Sequence, residues 1–338
     1  MKNLILVGGN RLNEDEPLNT LLGLAKKNNY KVFLYTEKIH LNKKCKKDTF
    51  KSFLKKRKVK YKVIDNINNQ INNLKKKLNF RKNKNIMLLT NSIWKIDKNI
   101  INLFNKNIFN IHIGKFPFQI GAGGASWLRM VNAKLSAITI HEVTEEYDDG
   151  RILIDKEFKL NKNFNLSSYY STARKFEKLA YHLFFKIIKR KIKFKDKKND
   201  SEKVYMPRLN TKIHGYIDWS WNAEDLVNFI NAFDSPYIGA STFIKKRKFY
   251  LKNAKLKKTK IKFHPFQSGI IFNKTSKSLM VAACNGIVEI SSFFDSSGIK
   301  LRLDDIKLGK RFFTPAIYLE KARMTTSLHS PKGIINLD

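Results

Sequence analysis

Asn110-Ile-His112 sets a carboxamide and an imidazole two residues apart, and Asp148-Asp149-Gly150 supplies carboxylates further along the same stretch of chain. On a strand entering a loop, side chains two apart point the same way. An Asn can hold a carbonyl oxygen, a His can move a proton near neutral pH, and an Asp can orient that His. Together they suit attack on a carbonyl carbon, and no side-chain nucleophile stands beside them. Thr139-Ile-His141 adds a second imidazole, for which a structural role in the neighbouring strand is expected.

Such groups need a scaffold that holds them still. Leu4-Ile-Leu-Val7 before Gly8-Gly9 predicts a buried strand and a tight turn. The Gly-x-Gly-x-x-Gly dinucleotide pattern is absent, because Asn10-Arg11-Leu12-Asn13 follows. Periodicity then predicts a helix from Pro17 to Lys27, a strand over Lys31–Thr36, and a solvated surface helix from Lys43 to Lys58. Strands at Tyr61–Ile64 and Ile86–Thr90 follow, with an amphipathic helix over Ile67–Leu78 between them. Asp97 is placed to cap a short helix, and Ile108–Asn110 is the next strand. Ser167 to Ile192 reads as a long helix. Alternating strands and helices predict an α/β fold, a doubly wound parallel sheet whose ligand crevice lies at the strand carboxyl ends. Asn110 and His112 fall at such an end.

From Lys193 the chain turns almost wholly charged or polar, which marks a linker. Ala223 to Ala232 is a predicted helix, and short strands with turns follow until about Leu319. They predict a smaller β-rich C-terminal domain, an OB-like barrel. The expected division is 1–192 for the first domain, 193–207 for the linker and 208–325 for the second. Residues from Ala322 read as a loose tail.

A chain of 338 residues is long enough for two cores, and 42% hydrophobic content with 25 Phe excludes general disorder. No apolar stretch approaches the ~20 residues of a membrane-spanning helix, so no membrane insertion is expected. The N-terminal apolar run lacks a cleavage pattern and reads as a strand. Cys45 and Cys284 stand far apart, which indicates neither a disulfide framework nor a metal knuckle, and a reducing cytoplasm is the expected location. Net charge is +39, from 67 basic and 28 acidic residues. It would draw the protein to any polyanion. Over-used Lys, Asn and Ile explain it equally well, as the drift of an AT-rich genome.

The order Asn110-Ile-His112, Pro117, Gly121, Thr139-Ile-His141 and Asp148-Asp-Gly150 resembles the folate-dependent formyltransferases, a family including methionyl-tRNA formyltransferase, glycinamide ribonucleotide formyltransferase and amino-sugar N-formyltransferases. Gly215-Tyr-Ile-Asp-Trp219, Ala232-Phe-Asp-Ser-Pro-Tyr-Ile-Gly-Ala240 and Asn285-Gly-Ile-Val-Glu-Ile290 are similar to the second domain of its tRNA and aminoarabinose members. The purine-pathway members lack that domain. The resemblance implies that an amine attacks the formyl carbon of 10-formyltetrahydrofolate, with no metal. Asn110, His112 and Asp148 match the catalytic trio: Asn110 donating to the oxyanion, His112 sharing that charge and shuttling the proton, Asp148 fixing the imidazole. Ile93, Trp94, Ile96, Val143 and Tyr147 match the pterin pocket. The loop Ile113-Gly-Lys-Phe-Pro117 departs from the common Pro-Ser-Leu-Leu-Pro, and Ile120-Gly-Ala-Gly-Gly-Ala-Ser-Trp127 replaces the Arg-Gly-Ala-x-Pro stretch of the tRNA enzymes. These departures favour a nucleotide-linked amino sugar as acceptor over initiator tRNA. A homodimer would fit the sugar-modifying relatives. A non-catalytic basic nucleic-acid-binding module is the rival of a different class.

Overall fold

Leu4, Leu6 and Ile5, Val7 face opposite sides of one strand, and both sides are buried, as a central parallel strand requires. The computed structural model describes residues 2–9, 16–45, 48–78, 80, 84–90, 92, 94–189, 203–330 and 333–337. In chain order its first part holds β1 (Lys2–Gly8), α1 (Glu16–Lys27), β2 (Tyr30–Thr36), α2 (Lys38–Leu41), β3 (Lys44–Cys45), β4 (Asp48–Thr49), α3 (Phe50–Lys56) and β5 (Lys60–Val63). Then follow α4 (Ile71–Lys77), β6 (Lys84–Thr90), α5 (Lys98–Leu103), β7 (Ile108–Ile113), β8 (Ile120–Gly121), α6 (Gly124–Met130), β9 (Leu135–Glu142), β10 (Ile152–Lys159) and α7 (Leu166–Ile187).

The main sheet has the order β10-β9-β7-β6-β1-β2-β5. From β1 the chain proceeds outward through β2 and β5, then returns to β6 on the other side. The crevice of this doubly wound sheet therefore lies at the carboxyl ends of β1 and β6. β7 is parallel to β6, whereas β9 runs antiparallel to β7 and β10 antiparallel to β9. No crossover helix separates β9 from β10, so the chain must turn straight back. One face of the sheet packs under α1 and α7 and the other under α4 and α5.

Three expectations need correction. Lys43–Lys58 is not one solvated helix: α3 begins only at Phe50, where the Thr49 hydroxyl accepts from the Ser52 N–H, and Phe50, Phe53 and Leu54 are buried. Asp97 sits at the N-cap of α5 without a side-chain cap bond, and its own N–H donates to Asn68 Oδ1 at 3.1 Å. β7 runs on through Ile113.

The second part contains β11 (Tyr205–Met206), α8 (Thr211–His214), α9 (Ala223–Ala232), β12 (Ala240–Ile244), β13 (Arg247–Lys257), β14 (Ile271–Lys274), β15 (Leu279–Ala283), β16 (Gly286–Asp295), α10 (Ala316–Met324), β17 (Thr326–Ser330) and β18 (Gly333–Leu337). A five-stranded antiparallel sheet, β12-β13-β16-β15-β14, wraps around Leu226 and Ile230 of α9 and Phe233 just after it. The segment 309–313 bonds to both sheet edges, Phe313 with Phe243 and Phe312 with the Gly269 carbonyl, which closes the sheet toward a barrel. The expected tail from Ala322 instead completes α10 and a hairpin. Thr325 and Ser327 are buried there, and Ser327 bridges Arg208.

Within the expected linker 193–207, residues 193–202 lie outside the described residues. Residues 203–207 do not hang free. β11 runs parallel to β8, Val204 N–H donates to the Pro117 carbonyl at 3.1 Å, and Ala122 N–H donates to the Met206 carbonyl at 2.7 Å. This strap lies on the loop that follows His112.

Candidate active site

β7 presents Asn110 and His112 on the face shared with α5, two residues apart as the strand period demands. β6 ends at Thr90 opposite Ile111, so His112 emerges past its parallel neighbour at the carboxyl edge. On the other side β9 pairs antiparallel, with Asn110 opposite His141 and His112 opposite Thr139. That register delivers the second imidazole into the site. The structure thus assigns His141 contacts beyond the structural role expected for it.

Asp148 arrives from the loop between β9 and β10, in a left-handed conformation (φ 51°). Gly150 allows this return, because a Cβ there would stand 1.7 Å from the Glu142 carbonyl oxygen. Asn110 Nδ2 donates to Asp148 Oδ1 at 3.2 Å and lies 3.1 Å from His141 Nε2. His141 Nδ1 faces the Glu142 carbonyl at 2.8 Å. A carbonyl can only accept, so Nδ1 carries the hydrogen; in the neutral ring Nε2 then accepts from Asn110, and in the charged ring it donates to Asp148. His112 Nδ1 is 3.5 Å from Asp148 Oδ2, and His141 Nε2 is 3.4 Å from Asp148 Oδ1. The Gly121 N–H donates to Asp148 Oδ2 at 2.9 Å.

Burial pushes the Asp148 carboxyl up, but His112, His141 and the Gly121 N–H outweigh it and hold it well below the usual carboxylate range. Asp148 is therefore an anion in the folded protein at any ordinary pH. Asp149, its neighbour, instead pairs with Lys203 of the strap. Phe116 lies against both imidazoles, 5.3 Å from His112 and 4.8 Å from His141 between ring centroids. A small pocket opens beside Asp148, with Phe116, Ile120 and Ile152 as its apolar wall and Lys203 at its edge.

Of the residues matched to a pterin pocket, Trp94, Ile96 and Val143 are buried in one apolar cluster, and Tyr147 stays largely exposed. Ile93 lies outside the described residues. The two loops meet through Lys95 and Glu146 at 3.1 Å. Trp127 packs not on the core but on the strap, its Nε1–H donating to the Pro207 carbonyl at 2.8 Å. α6, which follows the Gly-rich loop, docks on α9: Ser126 Oγ donates to the Ala232 carbonyl at 2.8 Å and Arg129 Nη1 to Asn228 Oδ1 at 2.6 Å. Among the described residues, no group of three or more His, Cys, Asp or Glu side chains is arranged to hold a metal ion.

This fold and site have recognisable relatives. Residues 210–311 match the family model "Formyl transferase, C-terminal domain". The chain is 26% identical over 243 residues to the bifunctional polymyxin resistance protein ArnA of Wigglesworthia glossinidia brevipalpis, covering 69% of this chain and 35% of that protein. It is 27% identical over 175 residues to the methionyl-tRNA formyltransferase of Prochlorococcus marinus strain MIT 9515, covering 49% of this chain and 50% of that one. It therefore spans about half or less of these two relatives. An N-formyltransferase from Helicobacter canadensis, solved with folinic acid and dTDP-3-aminofucose, superposes with a TM-score of 0.64 at 18% identity, covering 86% of this chain and 99% of the other. The second-domain match, these sequence relatives and the solved neighbour agree in likening the chain to the formyltransferases.

Proposed function

We propose that the protein transfers a formyl group from 10-formyltetrahydrofolate to a primary amine. The observation that carries this reading is the convergence of Asn110, His112 and Asp148 at the carboxyl edge of β7. Bound folate would supply an activated formyl carbon on a nitrogen leaving group, and the apolar cluster of Trp94, Ile96 and Val143 suits a flat heterocycle. Asp148, held as an anion, stabilises positive charge on His112 and so supports the imidazole as proton carrier. Asn110 commits both Nδ2 hydrogens, to His141 and to Asp148. To donate to an oxyanion it must exchange one of these acceptors for the incoming oxygen.

For the acceptor, a nucleotide-linked amino sugar is the preferred reading. The Gly-rich stretch 121–124 beside the trio lets a bulky anionic acceptor approach the backbone. The Helicobacter canadensis neighbour, solved with dTDP-3-aminofucose, supports the same choice. One observation favours the tRNA alternative. From Ser235 to Val288 the second domain has twelve Lys or Arg and no Asp or Glu, a surface suited to phosphates. Supplying 10-formyltetrahydrofolate with either dTDP-linked amino sugars or charged initiator tRNA separates the two. The sugar reading expects tetrahydrofolate release with the sugar nucleotide, and release with the tRNA alone would overturn it.

A further inference from the structure

His112 Nε2 lies 2.7 Å from the main-chain carbonyl oxygen of Gln119, in a buried contact. A carbonyl oxygen has no hydrogen to give, so Nε2 must carry one in the neutral and the charged imidazole alike. The residue that offers this carbonyl is itself tied down. Gln119 Oε1 accepts from the Lys115 N–H at 2.9 Å and from Ser136 Oγ at 3.0 Å, and its Nε2 donates to the Leu135 carbonyl at 3.0 Å. These bonds reach both the loop after His112 and the strand β9, so the peptide of Gln119 is held from two sides. Gly114 makes room for the contact. A Cβ there would fall 2.3 Å from the Gln119 carbonyl oxygen and 2.5 Å from His112 Nε2. Gly114 is held in turn by Thr139, whose Oγ1 donates to its carbonyl at 2.7 Å.

We infer that Gln119 is a positioning residue for His112: its anchored carbonyl fixes Nε2 as a permanent donor and turns Nδ1 toward Asp148 as the nitrogen that exchanges a proton. The second half rests on the formyl-transfer reading, whereas the first concerns the ring alone. The fixed ring orientation brings Nδ1 within 3.5 Å of Asp148 Oδ2. A tilt of the ring by about 1 Å at this point would cost on the order of 10²-fold in rate.

The test reads the imidazole directly. In ¹⁵N-labelled full-length protein, assigned by comparison with His112→Gln, the His112 Hε2 proton should be visible and slow to exchange with water. Gln119→Ala should broaden that proton away, shift the pH profile of kcat and lower kcat about 10-fold to 100-fold, with KM for the amine changed less than twofold. Gln119→Glu, which keeps the accepting oxygen, should restore part of the protection. Should Gln119→Ala fail to fold, the wild-type spectrum still decides, since an unprotected Hε2 overturns the assignment. Protection and pH profile both unchanged in a folded Gln119→Ala would also overturn it. A protected Hε2 in a protein that turns over no amine would support the positioning and count only against formyl transfer.

Discussion

His112 and His141 flank one carboxylate but make different bonds. His141 gives its Nδ1 hydrogen to the Glu142 carbonyl and accepts from Asn110, while His112 gives its Nε2 hydrogen to Gln119. His112→Ala should lower turnover by about 10²–10⁴-fold while folate still binds. Fluorescence titration with folinic acid beside a rate assay checks both halves, and unchanged turnover would remove the role given to His112. Because the folded value of Asp148 is depressed, its extra stability is present above the unfolded value of about 4 and disappears as pH falls through the lower folded value. Asp148→Asn should therefore show a shallower acid loss of Tm below pH ~4 than the wild type, and parallel acid limbs would contradict the shift. That Asn110, His112 and Asp148 meet was legible in the sequence because their residue types and spacing are themselves chemical. His141 was not legible beside them, because only the antiparallel register of β7 and β9 sets it opposite Asn110.

Elements bring these residues together through close backbone approaches. Gly150 touches the end of β9, and Gly150→Ala would drive a methyl into the Glu142 carbonyl. The expected cost is about 1–3 kcal/mol of stability, together with a displaced Asp148 and lost activity. Denaturant unfolding measures the first and the formyl-transfer rate the second. The parallel strands were legible because their apolar runs are buried on both faces, as with Leu4–Val7. The antiparallel β9 and β10 were hidden, since alternating strand and helix predicts crossovers and nothing local in Leu135–Glu142 announces a reversal. The start of α3 was hidden too, because Lys-rich flanks blurred a boundary that the Thr49 cap sets. The strap 203–207 looked like linker because the strand pairing that holds it to the loop after His112 is made of main-chain bonds, which leave no trace in side-chain pattern.

At the scale of the whole molecule, the loop after His112 is gripped twice. The strap holds it from above, and α6 carries it onto α9 of the second domain. Arg129 is almost fully buried at that junction, and burial pushes its guanidinium pKa down to about 10. Asn228 offers it the oxygen at 2.6 Å. Removing that oxygen with Asn228→Ala should cost about 1.5–3 kcal/mol, read from chemical denaturation, since it removes a hydrogen bond to a buried charge. A loss below about 0.5 kcal/mol would show that the junction bears little load. That a second core follows the first was readable from its apolar pattern, but not that α6 and the strap fasten it to the loop after His112. The central claim is formyl transfer at Asn110, His112 and Asp148. Its most direct measurement is tetrahydrofolate release from 10-formyltetrahydrofolate with amine acceptors, in the wild type and in Asp148→Asn. The account predicts amine-dependent release in the wild type and a loss of at least ~10²-fold in the variant. No amine-dependent release from a protein that is folded, or equal release from both, would contradict it.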